Sequence, residues 1–214
     1  NDIVFAKKLN KGKNSIKDYY NKEFKELDRV YLLLSHLDSD HFRLMMWCSV
    51  IQGKISEIYI PSGSANNSLA FKHSSIFHKV KAVGSFSLVA GKYEIEAIRT
   101  KPANASIEKN DNELITKIKV DGGEKVFLFP GDYVYKKMIS DGEVKINDLQ
   151  KLNFDFVVAP HHGDNESGDS VPSAKIKKQS EVFFSAGDHA GYNHPTTYSI
   201  DAHNQAGFTK VSYF

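Results

Sequence analysis

The stretch Leu34-Ser35-His36-Leu37-Asp38-Ser39-Asp40-His41 sets two imidazoles and two carboxylates within six positions. Groups packed this closely repel or compete unless something positive sits among them. Neutral imidazole and carboxylate are good donors to Zn, Mn or Fe. A divalent ion among them would also keep the carboxylates ionised. Three further stretches carry the same residue types: Gly131-Asp132, His161-His162-Gly163 and His194-Pro195. Each has a plainer reading on its own. Asp40 can cap a helix that starts at Phe42, and Asp132 is an ordinary turn residue after a glycine. His161-His162 divides evenly between ligand and loop, and His194 reads as a helix-start residue. The four stretches gain weight from being considered together.

What would bring them together is the order of elements. Val30–Leu34 is a continuous apolar run, the pattern of a strand buried on both faces. Ser15 with Asp18 three residues on resembles a capping box before it, opening a helix with Tyr20, Phe24 and Leu27 inward. After it, Phe42–Ile51 reads as a helix that Gly53 stops, followed by a strand over Ser56–Ile60, a polar loop and a helix over Leu69–His78. The middle is strand-rich. Lys81–Val89, Lys92–Ile98, Glu113–Val120 and Lys125–Phe129 read as four strands, with hairpin signals at Gly91 and Asp121-Gly122-Gly123. Alternation then returns: a strand over Phe154–Ala159, a helix near Ser173–Lys178, a strand over Val182–Ala186, a helix over Thr196–Gln205 closed by Gly207, and a last strand over Lys210–Tyr213. Each chemical stretch therefore follows an apolar strand, and open α/β sheets build their sites beyond the carboxyl ends of strands. His73, His78 and His203 fall on helical stretches and read as surface or edge residues, while His189 has no assigned place.

At 214 residues, with 41% hydrophobic and 12% aromatic content, the chain reads as one soluble α/β domain spanning 1–214. A formal charge of +2 neither demands nor forbids an anionic partner. The single cysteine, Cys48, excludes an internal disulfide or cysteine cluster and reads as a small buried hydrophobe, so a reducing, cytoplasmic compartment is the default expectation. No apolar run approaches the roughly 18 residues of a membrane span. The chain starts at Asn1 rather than Met, so an upstream segment is expected to be missing.

In sequence order, His36-x-Asp38-x-Asp40-His41, Gly131-Asp132, His161-His162-Gly163 and His194-Pro195 resemble the metallo-β-lactamase superfamily, most of all the ComEC-type (competence and DNA-uptake) hydrolase domain and its free-standing relatives. The segment Asn110-Asp111-Asn112-Glu113-Leu114 falls where that family has an Asn-rich turn leading into a strand. The resemblance implies a four-layer αββα sandwich with a metal centre between two sheets. It implies that Asp40, His41 and one of His161 or His162 hold one ion, that His36 and Asp38 hold a second, and that Asp132 bridges both. His194 would face the substrate. Three departures stand out: Phe42-Arg43-Leu44 replaces the usual Ile-Gly-Gly, Lys101 before Pro102 stands where some relatives place a further histidine ligand, and the usual N-terminal strand is not evident.

The expectation is a metal-dependent hydrolase carrying one or two divalent ions, Zn or Mn, and acting on phosphodiesters, with nucleic acid among the candidate substrates. Asp38 or Asp40 would orient the attacking hydroxide and His194 would stabilise or protonate the leaving oxygen. An oxygen-rich site shifts the metal preference from Zn towards Mn. No Lys/Arg stripe with interleaved aromatics marks a nucleic-acid groove. Two rivals stand beside this reading. One is a hydrolase of small esters or lactones on the same metals, and the other is an interaction module that kept the fold after losing turnover.

Overall fold

A computed structural model describes residues 18, 21–38, 41–42, 49–64, 75–102, 109–186 and 193–213. Asp40, Cys48, His73, His189 and the expected Ser15 cap lie outside the described residues.

Two sheets are built from alternating apolar segments. The smaller is parallel, in the order β1 (Val30–Leu33), β2 (Ile55–Pro61), β3 (Val80–Val83). The larger has seven strands: β4 (Phe86–Ala90), β5 (Tyr93–Arg99), β6 (Leu114–Val120), β7 (Lys125–Phe129), β9 (Phe156–Val158), β11 (Glu181–Phe184) and β12 (Lys210–Tyr213). Their spatial order is β12-β11-β9-β7-β6-β5-β4. The four strands from β12 to β7 run parallel, and β7, β6, β5 and β4 are successively antiparallel. A short parallel pair joins β8 (Asn153–Phe154) to β10 (Ser173–Ala174).

Helices cover each sheet through its own apolar core. Tyr135 and Met138 of α2 (Tyr135–Ile139) and Ile146 and Leu149 of α3 (Val144–Leu149) bury against Ile98, Ile115, Leu128 and Val157 of the large sheet. Ile200 of α4 (Thr197–Gln205) packs onto the same cluster. Ile51 of α1 (Ser49–Lys54) and Phe42 share a second core with Ile55, Ile58 and Ile60 of the small sheet. The chain thus adopts the α/β class expected of it, with helices packed on each of its two main sheets. A backbone bond from Leu114 N–H to Ser35 O at 2.9 Å stitches the end of β1 to the start of β6.

Several elements differ from their sequence reading. Among the described residues β1 is an edge strand, and Tyr31 is 58% exposed, so its apolar run is not buried on both faces. α1 runs through Gly53 to Lys54 before β2 begins, and the Lys54 ammonium donates to the carbonyls of Phe24, Lys25 and Leu27. The expected strand over Lys81–Val89 is two strands in different sheets, broken at Gly84-Ser85, because the chain crosses there from the small sheet to the large. Ser173–Lys178 is not a helix. Its first two residues pair with β8 and the rest is a turn, with Lys178 at φ +69°. His203 is completely buried rather than superficial, whereas His78 is exposed as expected.

Candidate metal centre

The topology explains why distant residues meet. β7, β9 and β11 are parallel neighbours, so the loops after Phe129, Val158 and Phe184 leave the same sheet edge. β6 runs antiparallel to β7, so its beginning, not its end, lies at that edge. The bond from Leu114 to Ser35 brings His36 there from the small sheet.

Three donors converge. Ligand atoms of His36, His41 and Asp132 all lie within 4.8 Å of one another. His36 Nε2 is 3.4 Å from Asp132 Oδ2, and His41 Nε2 is 3.2 Å from Asp132 Oδ1. The two imidazoles stack at 4.1 Å between centroids, tilted by 52°. His162 Nε2 lies 3.9 Å from the same Asp132 Oδ1, and Asp38 Oδ2 lies 3.9 Å from His36 Nε2.

The loops carrying these residues are held in costly backbone. His161 and His162 both adopt left-handed φ, at +46° and +58°, and Gly163 follows at +83°. Each such non-glycine residue costs about 1–2 kcal/mol and is usually kept where function or packing demands it. Here His161 N–H donates to Gly131 O at 3.1 Å, tying this loop to the one that carries Asp132. A Cβ on Gly163 would fall 2.4 Å from Phe184 and 2.8 Å from Pro195, so only glycine lets the loop nest against the His194-Pro195 segment. His162 Nδ1 is 2.6 Å from Ser185 O, which leaves its Nε2 directed at Asp132. His161 is turned instead to Asp164, with Nδ1 to Oδ2 at 2.9 Å. His194 lies beside it, ring centroids 6.2 Å apart.

Electrostatics follow from burial and proximity. His36 is buried, and burial alone would lower its pKa, but Asp132 and Glu113 outweigh that and push it up to about 10. Burial would raise the Asp132 carboxyl, yet His36 and His41 hold it well below the usual carboxylate range. The bond to Asp164 raises His161, and burial lowers His194. A proton on His36 thus supplies the cluster's positive charge, which is the service a divalent ion would perform better. The donor set fits such an ion. Tetrahedral donors at zinc-ligand distances stand about 3.3 Å apart, close to the spacings across Asp132. His36 Nε2 and Asp132 Oδ1 are buried and make no well-aligned hydrogen bond, the state expected of atoms reserved for a metal.

Of the residues singled out in the sequence, His36, His41, Asp132 and His162 are brought together, Asp38 borders them, and His161 and His194 lie one step away. His36 stands at Asp132 Oδ2 and His41 at Asp132 Oδ1, so this carboxylate lies between the two implied ligand groups. Lys101 is not at the cluster's centre: its ammonium pairs with Glu143 at 2.6 Å, and its backbone N–H donates to Asp141. Four residues not expected from the sequence to serve the site also belong here. Glu113 is fully buried and accepts from the Asp132 N–H with both oxygens at 3.0 Å. Ser35 Oγ lies 3.2 Å from His36 Nδ1 and 3.3 Å from His41 Nδ1. Asn110 donates to Asp132 Oδ2 at 3.4 Å, and Asp164 holds His161. An acid opening an apolar strand was the available signal for Glu113.

No protein-family model matches the chain, and no curated protein matches it. Among solved structures, CmlA, a diiron β-hydroxylase from Streptomyces venezuelae, is similar with a TM-score of 0.42 and 19% identity over 64% of this chain; the chain spans 26% of CmlA. YhfI, a metallo-β-lactamase fold protein from Bacillus subtilis, is similar with a TM-score of 0.49 and 15% identity, covering 91% of this chain and 79% of YhfI. At these scores the likenesses add nothing to what the sheets and the clustered side chains show by themselves. Those define an α/β protein with a His/Asp cluster suited to a metal.

Proposed function

We propose that this chain is a metal-dependent hydrolase of the metallo-β-lactamase superfamily, acting on phosphodiesters. The observation that carries the reading is the convergence of His36, His41 and Asp132 at the edge where β7, β9 and β11 end. His36, His41, Asp132 and His162 would hold the first ion, with Asp38 and Asp40 completing the set or orienting water. A divalent ion of this kind polarises water and a phosphoryl oxygen, lowering the pKa of water from about 15.7 towards roughly 7.

The remaining work falls to the chain's own groups. Asp38, partly exposed beside His36, is placed to accept a proton from attacking water. His194 lies beside His161 and would donate a hydrogen bond to the leaving oxygen; burial lowers its pKa, so the neutral imidazole is the form that would do so. Asp164 fixes the His161 ring and so the wall between them.

Elemental analysis of protein purified without chelator, wild type against Asp132→Ala, tests the site. Zn or Mn near one or two equivalents, falling sharply in the variant, supports the reading. Absence of metal after adding both ions refutes it. Bis-(p-nitrophenyl) phosphate assayed beside an ester and lactone panel then tests the substrate class. Preferential turnover of the esters would refute the phosphodiester assignment.

A further inference from the structure

Resting on that reading of the metal centre, we propose that Glu113 is a positioning residue that aims two of the ligands: its carboxylate receives the Nδ1 side of His36 and the backbone N–H of Asp132, so that His36 Nε2 and the Asp132 carboxylate face one point. Glu113 is completely buried, with no exposure at all. A buried carboxylate is costly unless its oxygens are occupied. Both are occupied by the site: each stands 3.0 Å from Asp132 N, and Oε1 stands 3.5 Å from His36 Nδ1. A histidine ligand needs its second nitrogen held, because that contact fixes both tautomer and ring direction.

The surroundings are built for this carboxylate. A Cβ on Gly131 would fall 1.9 Å from Glu113 Oε2, so the glycine before Asp132 leaves the space that the acid fills. The backbone of Glu113 is clamped to Thr100. Its N–H donates to Thr100 Oγ1 at 2.9 Å, and its carbonyl accepts from Thr100 N–H at 3.0 Å. Thr100 Oγ1 in turn donates to Asp111 O at 2.6 Å. Glu113 therefore stands on the rigid start of β6, and its two clients come from different sheets: His36 follows β1 and Asp132 follows β7. One carboxylate fixes the relative placement of both. Ser35 Oγ, 3.2 Å from the same His36 Nδ1, is the competing candidate for that role.

The test compares full-length wild type, Glu113→Gln, Glu113→Asp and Ser35→Ala. Zinc affinity is measured by competition titration, and the His36 Nδ1–H resonance is followed in zinc-loaded, 15N-histidine-labelled protein. Gln keeps the volume and one acceptor but presents neutral groups to His36. Zinc affinity is expected to fall on the order of 10–100-fold in Glu113→Gln. The Nδ1–H signal should shift or exchange faster, while Glu113→Asp recovers part of both. A Glu113→Gln variant that binds zinc within about threefold of wild type with an unmoved resonance would overturn the proposal, and so would a loss confined to Ser35→Ala. Wild type that binds no zinc would overturn the metal reading and this inference with it, an outcome distinct from failure of the Glu113 role alone.

Discussion

Replacing Gly131 by alanine should damage the protein far more than a glycine substitution of the same backbone type elsewhere, and Gly122 provides the comparison. Both sit in left-handed backbone, at φ +68° and +70°. A Cβ on Gly122 meets nothing within 4 Å, whereas one on Gly131 lies 1.9 Å from Glu113 Oε2 and 2.7 Å from Ser35 Cβ. Left-handed backbone costs an alanine about 1–2 kcal/mol in either place. At Gly131 the Glu113 side chain must also leave the Asp132 N–H, and a buried donor left unsatisfied costs about 1–3 kcal/mol. Gly131→Ala should therefore cost about 2–5 kcal/mol and Gly122→Ala about 1–2 kcal/mol. Urea unfolding of the metal-free proteins, read by linear extrapolation, measures both. A difference between them below about 0.5 kcal/mol would refute the claim that Gly131 exists to make room for Glu113.

Further outcomes follow from the same geometry. His203 is buried, with Nδ1 on Ser199 O at 2.7 Å and Nε2 3.2 Å from Tyr135 Oη, and burial lowers its pKa from 6.5 to about 4. The unfolded chain then takes up a proton that the native state refuses, so this contribution is whole above pH 6.5 and is lost as pH falls towards 4, by about 3 kcal/mol. His203→Phe should flatten that acid limb in pH-dependent urea titrations, and an unchanged limb would exclude His203 as its source. His36 works in the opposite sense: raised from 6.5 to about 10, it stabilises metal-free protein fully below pH 6.5, and the effect fades as pH climbs to 10. Saturating zinc should abolish that alkaline loss, because the ion replaces the proton; a loss that persists with zinc bound would contradict it. Asp141 is buried and accepts from the Lys101 and Glu143 N–H groups and the Tyr133 hydroxyl. Asp141→Ala should cost about 2–4 kcal/mol in thermal unfolding while leaving zinc affinity unchanged.

The sequence by itself determined which residues could do chemistry and roughly where they stand. Imidazoles and acids placed just after apolar runs had to emerge at strand ends, and β7, β9, β11, α4 and β12 fall close to where their periodicity put them. Local pattern also specified the α/β class, because runs of period two alternate with helical ones. It did not reveal which sheet a strand joins. Lys81–Val89 reads as one strand because Gly84-Ser85 is a small interruption, yet the chain changes sheets there. Nor did it reveal the short α2 and α3, whose inward residues Tyr135, Met138, Ile146 and Leu149 are too few to show a helical period. Burial depends on partners far along the chain, so Tyr31 on an edge and His203 in the core both escaped a local reading. The same limit applies to the site. That His162 and not His161 would face Asp132, and that Glu113 would lie beneath both sheets' contributions, was decided only by tertiary packing. The physical reason is antiparallel pairing: it places the beginning of β6 beside the end of β7, so an acid that precedes its strand joins ligands that follow theirs.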